Sequence, residues 1–337
     1  MAMTGTLPSL APDTAGEAVI DIRDLSKRYG TFTALNNLTL RVGAGQILGL
    51  IGPNGAGKTT AIKILVGLIR PTTGSAKIAG VDCVAEARKI KQLVGYMPDK
   101  FGSYDNMRVR EYLDFFGAAF GIPRRQRIPR IDEVLDITGT AYMRDKFVES
   151  LSHGMQQRVG IARTLLHNPR VLILDEPANG LDPQARVEMR DLLLKLAASG
   201  KTLLVTSHIL TELSRICQRI AIMTHGTLRA YGTVEEIGRQ VSQQRTIELQ
   251  LVAADQVAVA AQIVREAIEA GTSVTEAATE GAVRFRTTMR EAELSQLLEK
   301  LVNRGIRVAQ YRELQTDLEE AFMSFARPDA AAVTESR

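Results

Sequence analysis

The chain of 337 residues has no tryptophan, two cysteines and four histidines. Cys83 and Cys217 form no C-x-x-C pair, and the histidines have no zinc-ligand spacing, which argues against a disulfide framework or a zinc site. So few cysteines favour a reducing, cytoplasmic setting in which both thiols are small core residues.

Long hydrophobic runs are also missing. No segment approaches the roughly 18 apolar residues of a membrane-spanning helix, and apolar runs such as those at 171–174 and 203–205 have the length of strands. Residues 1–18 lack the basic start and apolar centre of a signal peptide, and their composition predicts a disordered leader. With 45% hydrophobic and 24% charged residues, the chain has a globular composition, and its length allows two domains.

Charge of one sign does not dominate. Residues 1–244 hold 31 basic and 23 acidic side chains, whereas 245–337 hold 11 and 15. The basic excess is spread thinly, so we expect no nucleic acid partner. Arginines at 124, 125, 127 and 130 form the densest cluster, which we interpret as a solvated loop.

The first part of the chain has the pattern of a nucleotide-binding unit. Apolar residues alternate in 19–28 and 36–42, which predicts strands. A short buried strand at 46–51 runs into a glycine-rich loop, and 59–69 then has the apolar spacing of a helix. Strand, glycine loop and helix in this order begin an α/β fold that binds phosphate.

The α/β pattern is interrupted in the middle of the chain. Residues 88–155 contain closely spaced aromatic residues and apolar residues at helical spacing, which predict an inserted helical subdomain. An α/β pattern follows, with a helix to 166, strands at 171–174, 202–206 and 219–223, and helices at 183–198 and 209–216.

Beyond residues 240–244 the order of elements is different. Strands are predicted at 246–252, 273–278, 282–287 and 306–312, with helices at 259–270 and 291–303. This β-α-β-β-α-β order is that of ferredoxin-like domains. A last amphipathic helix is predicted at 317–326, before a flexible tail at 328–337.

The segment GPNGAGKT fits the phosphate-loop pattern G-x-x-x-x-G-K-[ST] in full. Glycines let the backbone approach phosphates closely, and loop N–H groups with the next helix N-terminus face the anionic oxygens. Lys58 is expected to reach the β- and γ-phosphates, Thr59 to bind Mg²⁺, and Thr60 to contact the α-phosphate. The predicted ATP-binding residues here are Gly52, Pro53, Asn54, Gly55, Ala56, Gly57, Lys58, Thr59 and Thr60.

A second motif, VLILDEP, places two acids after a buried strand. Asp175 stands at the carboxyl end of this strand, where open α/β sheets bind ligands, and is predicted to hold Mg²⁺. Glu176 follows and is predicted to polarise the attacking water as general base. Adjacent acids after a strand could also cap a helix, but the phosphate loop earlier in the chain favours the catalytic role.

The segment LSHGMQQR narrows the class of phosphate-loop protein. Here the sequence resembles the ABC ATPases, whose motifs match in order across residues 20–235. The resemblance implies that LSHGM is the signature sequence, usually LSGGQ. Ser152 and Gly154 fit it and would face the γ-phosphate of ATP on an opposing subunit. His153 and Met155 depart from it, and His153 is either a surface side chain without a role or a contact.

The resemblance assigns three further residues. Tyr29 would stack on adenine, and Asp182 of NGLDP would lie in the D-loop at a dimer interface. His208 would be the switch histidine that contacts the γ-phosphate and organises Glu176. Asp99 stands where the family usually has the glutamine of the Q-loop. Either it keeps the Mg²⁺ contact with a carboxylate, or it is solvated and bypassed.

The fold class expected from these motifs is α/β, a P-loop NTPase (ABC ATPase) core over 19–240 with the inserted helical subdomain, followed by a small α+β ferredoxin-like domain over 245–327. The role of this last domain is left open between regulation and dimerisation.

The function implied by the resemblance is that of the ATP-binding and ATP-hydrolysing subunit of an ABC-2 type exporter. It would use ATP and Mg²⁺, pair as a homodimer or heterodimer, and lie on the cytoplasmic face of the membrane against a membrane-spanning permease. Two alternatives are a soluble ABC ATPase acting on ribosomes or DNA, and a regulatory module that binds ATP without turnover. The single ATPase domain and the absence of coiled-coil heptads oppose the first, and Glu176 with His208 oppose the second.

Overall fold

The computed structural model describes residues 18–99, 102, 106–241, 245–268 and 273–314. The predicted leader, apart from residue 18, the predicted helix at 317–326 and the predicted tail at 328–337 lie outside these residues. The chain divides into two compact units at the boundary between Thr233 and Val234.

The first unit contains two sheets. The strands of this unit are β1 (Ala18–Tyr29), β2 (Phe32–Gly43), β3 (Ile47–Ile51), β4 (Thr73–Ile78), β5 (Val81–Asp82), β6 (Val94–Met97), β7 (Val171–Leu174), β8 (Thr202–Ser207), β9 (Arg219–Thr224) and β10 (Thr227–Gly232). A six-stranded sheet has the order β10-β9-β3-β8-β7-β6, and a four-stranded antiparallel sheet has the order β2-β1-β4-β5.

The six-stranded sheet determines where the chemistry is placed. Every residue of β3, β7 and β8 is buried, as expected for strands that are covered on both faces. The strands from β9 to β6 pair in parallel, so their carboxyl ends meet at one edge. The glycine loop, Asp99, Asp175 and His208 follow β3, β6, β7 and β8 in turn.

The helices of the first unit are α1 (Lys58–Leu65), α2 (Ala87–Leu93), α3 (Val109–Ala119), α4 (Arg124–Ile137), α5 (His153–Leu165), α6 (Pro183–Ala198) and α7 (Leu210–Leu213). Buried residues of α1 share one apolar core with both sheets, which fixes the helix behind the glycine loop.

Two helices are shorter than predicted. The helix expected to reach residue 69 ends at Leu65, and Gly67 then takes a φ of 71°, a conformation that suits glycine and ends helices. The helix expected at 209–216 spans Leu210–Leu213, because the N–H of Ile216 bonds to the carbonyl of Leu213, three residues earlier, and breaks the α pattern.

The arginine cluster at 124–130 is not a solvated loop, so that prediction is wrong. These residues form the first turns of α4. Arg127 donates to Asp114 of α3 at 2.7 Å, and the guanidinium of Arg130 donates to the carbonyls of Leu165 and Leu166 at the end of α5. Arg127 and Arg130 therefore join three helices, because acceptors on neighbouring elements satisfy their charge, while Arg124 and Arg125 are exposed.

The second unit contains α8 (Val234–Val241), β11 (Arg245–Leu251), α9 (Val257–Ala267), β12 (Val274–Ala277), β13 (Ala282–Thr287), α10 (Glu291–Asn303) and β14 (Val308–Leu314). The strands form an antiparallel sheet of order β12-β13-β11-β14. Its apolar residues pack with those of α9 and α10 in a separate core. This arrangement confirms the ferredoxin-like prediction.

Glu248 of β11 is the centre of an ion-pair network in this sheet. Its neighbours Ile247 and Leu249 point into the core, so alternation along the strand places Glu248 on the opposite face. Its carboxylate accepts from Arg284 at 2.7 Å and from Arg312 at 2.6 Å, and its side chain is only 4% exposed. These bonds, with that of Arg284 first, hold the pKa of Glu248 below its usual value of 4.5.

We expect Glu248→Ala to destabilise the second unit by about 2 kcal/mol, because two arginines lose a shared charged acceptor. Amide hydrogen exchange in β11 and β13 of the full chain measures this loss. Glu299→Ala, an exposed position on α10, is the control and should change stability by less than about 0.5 kcal/mol.

The contribution of Glu248 to the stability of the second unit depends on pH with a defined sign. The folded-state pKa of Glu248 is lowered, so its contribution is fully present above the unfolded-state value near 4.5 and declines as the pH falls through the lower folded-state value. The stability difference between the native chain and Glu248→Ala should therefore shrink below about pH 4.5. A difference that grows on acidification would contradict the assignment.

Candidate functional site

The glycine loop after β3 is held against the sheet at positions where no side chain fits. A Cβ on Gly52 would lie 2.4 Å from the carbonyl oxygen of Met223, and one on Gly57 would lie 2.6 Å from that of Ala34. Gly57 also has a φ of 100°, which L side chains rarely adopt. Because these positions are glycines, the loop can lie this close to its neighbours and lead directly into α1. The N–H groups of the loop then lie at the start of that helix.

Lys58 is folded back into this loop. Its ammonium donates to the carbonyl oxygen of Gly52 at 2.5 Å and lies 3.5 Å from Glu176 Oε1. The residue is only 6% exposed, and a buried ammonium requires such partners. A phosphate entering the loop would offer this charge stronger acceptors.

Asp175 lies next to the loop at the end of β7. Its Oδ2 is 3.5 Å from Thr59 Oγ1, and its Oδ1 accepts from Thr206 Oγ1 at 2.7 Å. Burial raises the pKa of Asp175, the Thr206 bond opposes this, and the charges of Glu176 and Asp99 raise it further. A divalent cation would offset the cost of keeping this buried carboxylate charged, and oxygen ligands are those that Mg²⁺ prefers.

Glu176 has a strained backbone and two side-chain partners. Its φ is 53°, in the left-handed region that costs a non-glycine residue free energy. The N–H of Glu176 donates to Thr206 Oγ1 at 2.9 Å, which holds this conformation. Its Oε2 accepts from His208 Nδ1 at 3.0 Å, while Oε1 faces Lys58. The predicted base, switch histidine and loop lysine thus form one connected group.

A second group lies where the N-termini of α5 and α6 meet. Ser152 caps α5 by accepting from the N–H of Met155, and Asp182 caps α6 by accepting from the N–H of Ala185. A Cβ on Gly154 would lie 3.0 Å from Ala185 Cβ, so the two helix starts approach closely. The resemblance assigned Ser152 and Gly154 to an opposing subunit's nucleotide and Asp182 to the dimer interface, and all three share this patch.

Comparison with known proteins agrees with this geometry. Residues 35–179 match the family model described as ABC transporter. An uncharacterized ABC transporter ATP-binding protein of Synechocystis is 40% identical over 65% of this chain and 64% of its own length. The Nod factor export ATP-binding protein I of Burkholderia lata is 41% identical over 64% of this chain and 71% of its own length.

Among solved structures, an ATP-binding subunit of an ABC transporter is 31% identical and aligns with a TM-score of 0.60, over 66% of this chain and 92% of that one. The chain belongs to the family of ABC transporter ATP-binding proteins. Its first unit therefore has the fold of an ATP-binding cassette. No helix in the described ranges is both long and apolar enough to cross a bilayer.

Asp99 is the main departure of this cassette from the family pattern. The residue is half-buried beyond the end of β6, and the N–H of Asp175 donates to the carbonyl of Met97 on that strand at 2.9 Å. Burial, followed by the charges of Asp175 and Asp99, raises the pKa of Tyr96 to about 12. The charges of both carboxylates thus act on the Tyr96 hydroxyl, and the metal contact of Asp99 stays a prediction beside that of a solvated, bypassed side chain.

Tyr29, the remaining predicted residue, ends β1 in the four-stranded sheet. Its ring is 49% exposed, and the ammonium of Lys27 lies 4.9 Å from the ring centre. An exposed aromatic face of this kind can stack on a base.

Sequence reasoning missed the part played by Thr206. This residue is fully buried and bonds both to the Asp175 carboxylate and to the Glu176 N–H. The available indication was a hydroxyl in an otherwise apolar strand, directly before Ser207 and His208.

We expect Thr206→Val to lower the free energy of unfolding by about 1–3 kcal/mol. Valine has the shape of threonine but leaves Asp175 Oδ1 and the Glu176 N–H without this buried partner. Urea unfolding of the purified chain measures the change. Thr206→Ser, which keeps the hydroxyl, should lose less stability, and equal losses in both variants would contradict the role of the hydroxyl.

Proposed function

We propose that the chain binds ATP with Mg²⁺ in the glycine loop, hydrolyses it, and thereby powers export through a separate membrane-spanning permease. The observation that carries the proposal is the connected group of Lys58, Glu176 and His208 at the carboxyl edge of the sheet. Phosphoryl transfer needs positioned cations and a group that orients water, and this group supplies both.

Phosphates would take the place of the partners that Lys58 now has. Its ammonium is held by the loop carbonyl of Gly52. Gly52, Pro53, Asn54, Gly55, Ala56, Gly57, Lys58, Thr59 and Thr60 would surround the phosphates, and Tyr29 would stack on the base. Thr59, Asp175 and Asp99 would hold Mg²⁺, which supplies charge neutralisation at the β- and γ-phosphates.

Glu176 is proposed as the general base. When the Lys58 ammonium binds phosphate, Oε1 of Glu176 becomes available to accept a proton from water. His208 donates from Nδ1 to Oε2, which fixes the carboxylate. Its Nε2 would donate to a γ-phosphate only when it carries a proton as well, since phosphate oxygens only accept. The backbone strain at Glu176 supports this role, since such strain is concentrated at functional sites.

Each complete site would need two chains. Ser152, Gly154 and Asp182 lie together at the starts of α5 and α6, where helix N-termini suit an anion. In the proposed head-to-tail dimer, this patch meets ATP bound to the opposing subunit, either a second copy or a different ATPase. Closure is favoured because donors from both chains surround the γ-phosphate, and hydrolysis removes those contacts.

The direction of transport is proposed from similar proteins. The relatives include a Nod factor export ATP-binding protein of Burkholderia lata and a bacitracin transport ATP-binding protein of Bacillus licheniformis. The chain would lie on the cytoplasmic face of the membrane, bound to the permease, which would select the substrate.

Two substitutions separate binding from turnover. We expect Glu176→Gln to bind ATP with native affinity but to hydrolyse it at least about 100-fold more slowly, because the amide cannot accept the proton. Lys58→Ala should weaken ATP binding as well, because a phosphate contact is lost. Phosphate release and equilibrium ATP binding measure the two effects, and normal turnover by Glu176→Gln would refute the base assignment.

The permease partner can be identified directly. We expect tagged Glu176→Gln, solubilised from membranes of the native host with ATP and Mg²⁺, to co-purify with a multi-span membrane protein, because ATP would hold the complex closed. Mass spectrometry identifies the partner, and Lys58→Ala is the control for ATP dependence. Recovery of only ribosomal or other soluble proteins would overturn the transport role and leave the ATPase assignment in place.

A further inference from the structure

A side-chain contact joins the start of α5 to the turn that follows the predicted base. His153 is the first residue of α5, and its Nε2 lies 2.9 Å from the carbonyl oxygen of Asn179. A carbonyl only accepts, so Nε2 carries the proton and donates. Glycine, which is usual at this position in the family, has no side chain that could reach Asn179.

The same imidazole packs against Gly180. Its Cδ2 and Nε2 lie 3.5 Å from the position that a Cβ on Gly180 would take, and Gly180 has a φ of 70°. The ring therefore lies beside the turn at Gly180 and is hydrogen-bonded to it at Asn179.

This turn also holds Glu176. The N–H of Asn179 donates to the carbonyl oxygen of Glu176 at 3.1 Å, and the Glu176 N–H is held by Thr206. His153 thus bonds to one side of Asn179 while Glu176 bonds to the other. Only the backbone of Asn179 separates the signature residue from the strained base.

Helices α5 and α6 also contact each other at residues other than His153. Gly154 approaches Ala185 at the helix starts. Further along, Arg158 of α5 forms an ion pair with Glu188 of α6 at 3.1 Å. Helix packing and the His153 contact are therefore separable by mutation.

We infer that His153 is a positioning residue that couples the two ATP sites of the dimer through the turn at residues 176–180. The inference rests on the proposed function, in which Glu176 serves the ATP of its own chain while Ser152 and Gly154 serve the ATP of the opposing chain. Contact of the signature segment with the opposing γ-phosphate sets the position of His153, and through Asn179 the position of Glu176.

Three variants of His153 test the contact. Glutamine places an amide N–H near the position of Nε2, whereas asparagine carries the same amide on a shorter side chain and glycine removes the donor. His153→Gln should therefore retain the contact, and His153→Asn and His153→Gly should lose it. Glu188→Gln is the matched control, because it weakens the α5–α6 ion pair without touching the turn.

The first readout is amide hydrogen exchange over residues 177–182 in the full chain without nucleotide. Exchange there should accelerate in His153→Gly and His153→Asn, because the turn opens more often. It should stay native in His153→Gln and Glu188→Gln. Native exchange in His153→Gly, or acceleration in Glu188→Gln as large as in His153→Gly, would overturn the contact.

The second readout is ATP turnover. We expect His153→Gly to lower kcat about fivefold, the size of one hydrogen bond, and to lower the Hill coefficient for ATP toward one. ATP affinity should be unchanged, because Lys58 and the loop are intact, and His153→Gln should restore both values. An unchanged kcat and Hill coefficient in His153→Gly would overturn the coupling.

The two failures can be told apart. If the native chain does not hydrolyse ATP, the proposed function fails and the coupling fails with it, while hydrogen exchange still decides whether the contact exists. If the native chain hydrolyses ATP and His153→Gly behaves like it in both readouts, only the present inference fails.

Discussion

The candidate site depends on the parallel pairing of β3, β8, β7 and β6. This pairing brings the carboxyl ends of four strands to one edge of the sheet. The residues that follow these strands are separated by up to about 150 positions in the sequence, yet they share hydrogen bonds. Burial of nearly every residue in the strands provides the stability that this arrangement requires.

Thr206 connects strand β8 to the two acidic residues of the candidate site. One hydroxyl fixes the Asp175 carboxylate and the N–H of Glu176, so the predicted metal ligand and the predicted base have a common support. That support stabilises a left-handed backbone at Glu176 and sets the carboxylate between His208 and Lys58. The Thr206 hydroxyl is tolerated in a buried strand because it and both of its partners have their hydrogen bonds.

The second patch, at the starts of α5 and α6, shows how one chain could serve two nucleotides. Ser152 accepts from one N–H at the start of α5 and Asp182 from one at the start of α6, and helix N-termini attract anions. His153 connects this patch to the turn after Glu176. The same departure from the family pattern that weakens the match to the signature sequence thus provides a physical contact between the two halves of the mechanism.

The sequence by itself determined the phosphate loop, the acids after β7 and the order of most elements, because these depend on local spacing and apolar periodicity. It missed β4, β5, α8 and β10, and it misjudged the arginines of α4, because Arg127 and Arg130 have partners on α3 and at the end of α5. Only the tertiary structure decided that Thr206 supports two acids and that His153 contacts Asn179. Each of these contacts joins residues distant in sequence or on different elements, and local patterns carry no information on which side chains packing will bring together.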